Sequence, residues 1–191
     1  MTHYRGRRAL KRSKEFNEML LVELVSVTGG LAGGVLLAHM LSQVELLPGL
    51  FILLPGLLEL RGNIGGALAG RLSEALHAGE IRPHFQGNPL VLPNVLAVLF
   101  LTIAASAALG IVAFLASEFF LGVSAPKLVL IAVISATLST LITMPININT
   151  TFWLFRHGHD PDNIMGPYIT TVGDIVSIAS LYAAITAVTF L

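Results

Sequence analysis

The sequence contains no cysteine, so disulfides, thiolate metal sites and thiol catalysis are all excluded. It is also poor in charge. Only 12% of its 191 residues are charged, against 54% hydrophobic, where soluble domains carry about a quarter charged residues. This deficit identifies an integral membrane protein. No nucleophile–base pair and no phosphate loop is evident, and the intramembrane carboxylates lack the paired arrangement of an acid–base hydrolase, so an enzyme is not expected. Nothing reads as a soluble domain, a linker or a low-complexity tract, and nucleic acid is not an expected partner.

What is present is a set of five apolar segments: Met19–Leu41, Leu46–Leu76, Val91–Ser117, Pro126–Phe155 and Pro167–Leu191. A straight crossing takes about 20 residues. The second and fourth segments exceed that, so they tilt, break or project beyond the bilayer. The expected fold class is therefore all-α, a polytopic unit of five transmembrane helices over residues 19–191, preceded by a basic cytoplasmic segment over residues 1–18. The first apolar run is longer than a signal-peptide core, and no small-residue cleavage site follows it. Of the eleven basic residues, six (Arg5, Arg7, Arg8, Lys11, Arg12 and Lys14) precede the first span. A cytoplasmic N-terminus also places Arg71, Arg82 and Arg156 inside and leaves Lys127 outside, so the positive-inside rule predicts an external C-terminus.

Asp174 lies deep in the fifth segment, where even lenient insertion scales charge about 2.5–3.5 kcal/mol for a carboxylate. Asn163, Pro167, Thr170, Thr171 and Ser177 share its helical face, while Ile169, Val172, Ile175, Val176 and Leu181 cover most of the rest. Such a stripe of oxygens suits Mg²⁺, Ca²⁺ or Mn²⁺. The alternative is a protonated Asp174 hydrogen-bonded to a neighbouring helix. Asn163 stands three turns before Asp174, roughly 16 Å along the axis, so one set of oxygens marks the cytoplasmic mouth and another the membrane centre. Asp160, Asp162 and Asn163 form the mouth set, with Asp160 equally suited to cap the last helix and Pro161 to begin it. His157 and His159 are either metal ligands or solvated loop residues.

Pro55 and the glycines up to Gly66 suggest unwound or kinked backbone in the second span, lining a cavity together with Asn63. Glu59 and Arg61 pair with each other or with another helix. Pro145 predicts a kink in the fourth span, beside Asn147 and Asn149, each of which either lines a pathway or joins helices. Gly29-Gly30 and Gly33-Gly34 form two overlapping GxxxG pairs for close helix packing. Glu23, near the start of the first span, either snorkels to the cytoplasmic surface with Glu15 and Glu18 or serves a vestibule.

Two motifs recur together here: Pro55…Gly62-Asn63 in the second span, and Asp160-Pro161-Asp162-Asn163-Ile164…Pro167…Thr170-Thr171…Asp174…Ser177 in the last. They resemble the transmembrane domain of the MgtE/SLC41 family of magnesium transporters, with the Asp-Pro-Asp-Asn-Ile and Arg-Gly-Asn forms closer to the SLC41 side. The resemblance covers nearly the whole chain past residue 19. It implies a homodimer in the lipid bilayer, with a central pathway for divalent cations lined by the second and fifth spans. Mg²⁺ is the implied cargo, with Mn²⁺, Ca²⁺ or Co²⁺ as alternatives. Asp174 and its symmetry mate would hold the hydrated ion, Asn63 would face the pore, and Asp160 would lie at the cytoplasmic mouth. Thr170 and Thr171 would orient the ion's waters, and Glu59 joins the candidate cation ligands. The large cytoplasmic Mg²⁺-sensing module of bacterial members has no counterpart in the 18 residues before the first span, so gating by that route is not expected. Two rival functions stay open: an exchanger coupled to Na⁺ or H⁺, using Glu59 and Arg61, and a non-transporting membrane scaffold.

Overall fold

The computed structural model describes the backbone of residues 2–189 and the side chains of residues 16–189 apart from positions 42, 43 and 46. The basic side chains Arg5 to Lys14, on which much of the orientation argument rests, therefore lie outside the described residues, as do Phe190 and Leu191. All the regular elements described are helices: α1 (Thr2–His39), α2 (Leu41–Leu46), α3 (Gly49–His77), α4 (Val91–Leu121), α5 (Lys127–Arg156) and α6 (Pro161–Thr189). Five are long and apolar enough to cross a membrane, namely α3 to α6 and the Phe16–His39 part of α1. Lipid offers backbone groups no hydrogen bonds, which is why continuous helices are the form such segments take.

One expectation about the backbone is corrected. The second span does not unwind: α3 runs unbroken through Pro55 and the glycines up to Gly66. One missing N–H costs a single helical bond, whereas an unwound turn at depth would strand several. The chain breaks earlier instead, at Leu47 and Pro48, which separates the short α2 from α3. The last helix begins at Pro161, the first helical position that the sequence offered, six residues before the apolar run that starts at Pro167. Here Asp160 accepts the Asp162 amide N–H through Oδ1 at 3.1 Å, the capping arrangement that the sequence suggested.

The core has two apolar layers separated by a polar one. Towards one membrane face, Leu50, Leu53 and Leu57 of α3 pack with Leu128 and Ile131 of α5 and with Leu181, Ile185 and Val188 of α6. Towards the other, Leu68, Leu72 and Leu76 of α3 meet Met144, Ile148 and Phe152 of α5 and Val91 of α4. Between Leu57 and Leu68 on α3 lies Arg61, and at the same level sit the buried polar groups of the other helices. Ser139 and Ser177 hydrogen-bond at 2.9 Å across α5 and α6, and Thr102 and Thr140 at 3.3 Å across α4 and α5. The Asn147 amide donates to the Gly65 carbonyl at 2.7 Å, so this asparagine joins α5 to α3. Asn149, by contrast, is exposed and donates to Pro145 O in its own helix.

Such bonds are modest in lipid because the separated helices also find partners. Ser177→Ala is accordingly expected to destabilise the bundle by about 0.6 kcal/mol, and by no more than about 1.7, read as a shift in unfolding midpoint in detergent micelles.

The helix α1 is peripheral and packs chiefly on α6. Its glycines divide into two faces. A Cβ at Gly29 would strike Thr171, and one at Gly33 would touch Ile178 at 3.4 Å, so this pair seats α1 on α6. Gly30 and Gly34 face open space.

Candidate functional site

Arg61 and Asp174 stand near the middles of two 29-residue helices: Arg61 is 12 residues past Gly49, and Asp174 is 13 past Pro161. Their side chains meet. Arg61 Nη2 lies 3.1 Å from Asp174 Oδ1, with the arginine side chain 6% exposed and the aspartate side chain 27%. The same guanidinium donates from Nη1 to Ile169 O at 3.0 Å and from Nη2 to Thr170 O at 3.2 Å. It can reach those helix carbonyls because Gly173 has no side chain; a Cβ there would occupy the guanidinium's own position. Arg61 Nε is buried and has no hydrogen-bond partner. The partner of Arg61, left open by the sequence, is thus the aspartate of α6 and not Glu59.

Glu59 and Asn63 lie one turn apart on the other side of α3, both exposed. The Asn63 amide donates to Glu59 Oε1 at 3.1 Å. Thr170 is likewise exposed and turns its hydroxyl back to Gly166 O at 3.0 Å. These three, with the partly exposed Asp174, put carboxylate, amide and hydroxyl oxygens on the outer surface of the α3–α6 pair at membrane depth. Thr171 is placed elsewhere. Its hydroxyl donates to Ser26 Oγ at 2.6 Å and to Pro167 O at 2.9 Å, which commits it to the α1 seam. Ser177, on the same sequence stripe, is buried against Ser139.

At the end of α3 and the start of α6, Asp160 and Asp162 converge with His77, which was not among the sequence-derived candidates. His77 Nε2 lies 3.8 Å from Asp160 Oδ1, and one ligand atom each from His77, Asp160 and Asp162 fall within 4.8 Å of one another. His77 Nδ1 is 2.9 Å from Ser73 O; donation there leaves the Nε2 lone pair turned towards the carboxylates, the arrangement that metal-binding histidines adopt. The ring packs edge-on against Phe155, with centroids 5.3 Å apart. Asn163 follows within the same first turn of α6, partly buried. Pro167 lacks the N–H that would otherwise reach the Asn163 carbonyl one turn earlier. His157 and His159 turn away from this cluster, His157 to Trp153 O at 2.8 Å and His159 to Glu18 Oε1 at 3.2 Å. A linear reading had no means of pairing His77 with Asp160, because they stand 83 positions apart and only helix packing joins them.

The two levels offer hard oxygens with one imidazole at the end cluster, a donor set fitted to divalent cations. A comparison with curated protein sequences gives no match. The family model for MgtE, described as a divalent cation transporter, matches residues 54–184, a stretch that begins before Pro55 and ends beyond Asp174. That match covers more than half of the chain and includes both levels of the site, so the chain belongs to the MgtE family of divalent cation transporters.

Proposed function

We propose that this protein conducts Mg²⁺ across the cell membrane through a pathway formed where two copies meet. The observation that carries the reading is the open face of α3 and α6. Glu59, Asn63 and Thr170 are exposed and Asp174 is partly so, all near mid-span. Polar and ionisable groups at that depth are costly against lipid and are nearly always turned towards a protein interior or a water-filled cavity. A second copy related by a two-fold axis would set this face against its own image, which encloses the oxygens and doubles the carboxylates. Mg²⁺ sheds its waters reluctantly, and Asp174 with amide and hydroxyl neighbours suits an ion held through its hydration shell.

His77, Asp160, Asp162 and Asn163 form the mouth, on the side where the positive-inside rule places the cytoplasm. They raise the local cation concentration by their field. Asp160→Asn should therefore increase the half-saturating Mg²⁺ concentration several-fold at low ionic strength, with little change in maximal rate and a smaller effect in high salt.

The direct test is Mg²⁺ uptake by proteoliposomes of the purified protein, alongside chemical cross-linking of its oligomer in the bilayer. Uptake down a Mg²⁺ gradient alone, from cross-linked dimers, is the expected result; no uptake under any imposed gradient overturns the transport reading. The buried Arg61–Asp174 pair favours a second reading, in which an ionic rearrangement couples the cation to Na⁺ or H⁺. Uptake that requires an imposed Na⁺ or pH gradient would select it.

A further inference from the structure

Asp174 already has a cation beside it. We propose that the Arg61 guanidinium is a tethered competitor for the transported ion: it neutralises Asp174 when the site is empty and is displaced from the carboxylate when a divalent cation binds. The inference rests on the reading that the cation binds at Asp174.

Three features of the pair argue for a releasable partner over a permanent lock. First, the contact is single. One guanidinium nitrogen faces one carboxylate oxygen, at 3.1 Å, without the bidentate fork that makes arginine–carboxylate pairs strong. The remaining bonds of the guanidinium go to the Ile169 and Thr170 carbonyls, which can retain it when the carboxylate turns away. Second, the two partners face different surroundings. Arg61 is 6% exposed and Asp174 27%, so an ion arriving from the open face meets the carboxylate and not the guanidinium.

Third, there is room for a water beside the guanidinium. Beside Arg61 and Gly173 is a cavity of about 20 Å³ bordered by Thr140, Thr143, Asn147 and Tyr168. That is room for about one water, which can take up a guanidinium hydrogen bond when Asp174 turns to the ion.

Electrostatics sets the direction of the exchange. At equal distance a divalent ion attracts the carboxylate twice as strongly as a guanidinium does, and two cations beside one carboxylate repel each other. Occupancy is then exclusive, and the arginine sets the concentration at which the divalent ion prevails. It also spares the empty site an unpaired carboxylate in a low-dielectric layer, which is a severe cost. Gly173 is part of the device, since any side chain there would exclude the guanidinium from its place.

The test compares wild type with Arg61→Gln and Gly173→Ala in proteoliposomes and in detergent. A pair formed about nine-tenths of the time leaves about one-tenth of the sites competent, so removing it lowers the half-saturating Mg²⁺ concentration about tenfold. Gly173→Ala is expected to shift it the same way although Arg61 is still present. In EDTA, Arg61→Gln should melt below wild type, and Mg²⁺ should raise its Tm by more than it raises that of wild type.

Wild-type half-saturation in both variants, with only the maximal rate or the Tm reduced, overturns the proposal and leaves Arg61 as a helix anchor. Aggregation of Arg61→Gln that Mg²⁺ does not relieve counts against it equally. Failure of wild type itself to take up Mg²⁺ is a different outcome, one that removes the transport reading underneath.

Discussion

Asp174→Asn is expected to reduce Mg²⁺ uptake at least about 30-fold. A unit charge pair at about 4 Å is worth about 4 kcal/mol at an effective dielectric of about 20. Even if desolvation cancels half of this, about 2 kcal/mol of binding goes with the carboxylate, which is close to 30-fold. The substitution has a second consequence, because Arg61 then remains buried with no counter-charge. Removing the counter-charge of a buried guanidinium is destabilising, so the single variant should also be less stable. The double variant Asp174→Asn/Arg61→Gln separates the two effects. It should recover much of the lost stability, read as the unfolding midpoint, while uptake stays at the level of the single variant. Uptake equal to wild type in either would remove Asp174 from the pathway.

Gly110→Ala should be among the most destabilising small substitutions in the bundle, at about 1–3 kcal/mol. A Cβ at Gly110 would stand 2.7 Å from the Val129 Cα and 3.1 Å from the Ala132 Cβ. The first of these is backbone, so relief requires α4 and α5 to move apart as whole helices. In the native bundle that close approach replaces the hydrophobic drive that is missing between helices in lipid. Gly30→Ala is the matched control, since a Cβ there meets nothing within 4 Å. Unfolding midpoints at a fixed detergent-to-protein ratio should fall for Gly110→Ala and stay near wild type for Gly30→Ala. Equal midpoints would mean that the α4–α5 crossing is looser than described.

Much of the fold was legible from the sequence because a single physical quantity, transfer of apolar side chains into hydrocarbon, marks the spans directly. Asp174 was legible for the inverse reason, as the group whose burial most needs explaining. The N-cap at Asp160 was legible because capping is local: Asp160, Pro161 and Asp162 are adjacent, and their backbone geometry depends on little else. The reading failed where it treated permissive residues as directive ones. Pro55 and the glycines of α3 allow a break, but the lack of water makes an unbroken helix cheaper. The stripe around Asp174 was similarly over-read. Shared helical phase put Thr171 and Ser177 with Asp174, yet Thr171 faces α1 and Ser177 faces α5. A helix in a bundle has several partners, and phase alone does not say which partner each side receives.

The sequence by itself determined the number of spans, their helical form, the mid-membrane carboxylate and the acidic start of the last helix, since each depends on local composition or on a neighbour within one turn. Only the tertiary structure decided what stands beside those groups: Arg61 against Asp174, His77 against Asp160, and Asn147 against Gly65, pairs separated by 113, 83 and 82 positions. The reason is physical. Transfer into lipid is a property of a segment taken alone, whereas the counter-charge of a buried ion is chosen by how the helices pack, and in a bundle those choices depend on small residues such as Gly173 that carry no charge of their own.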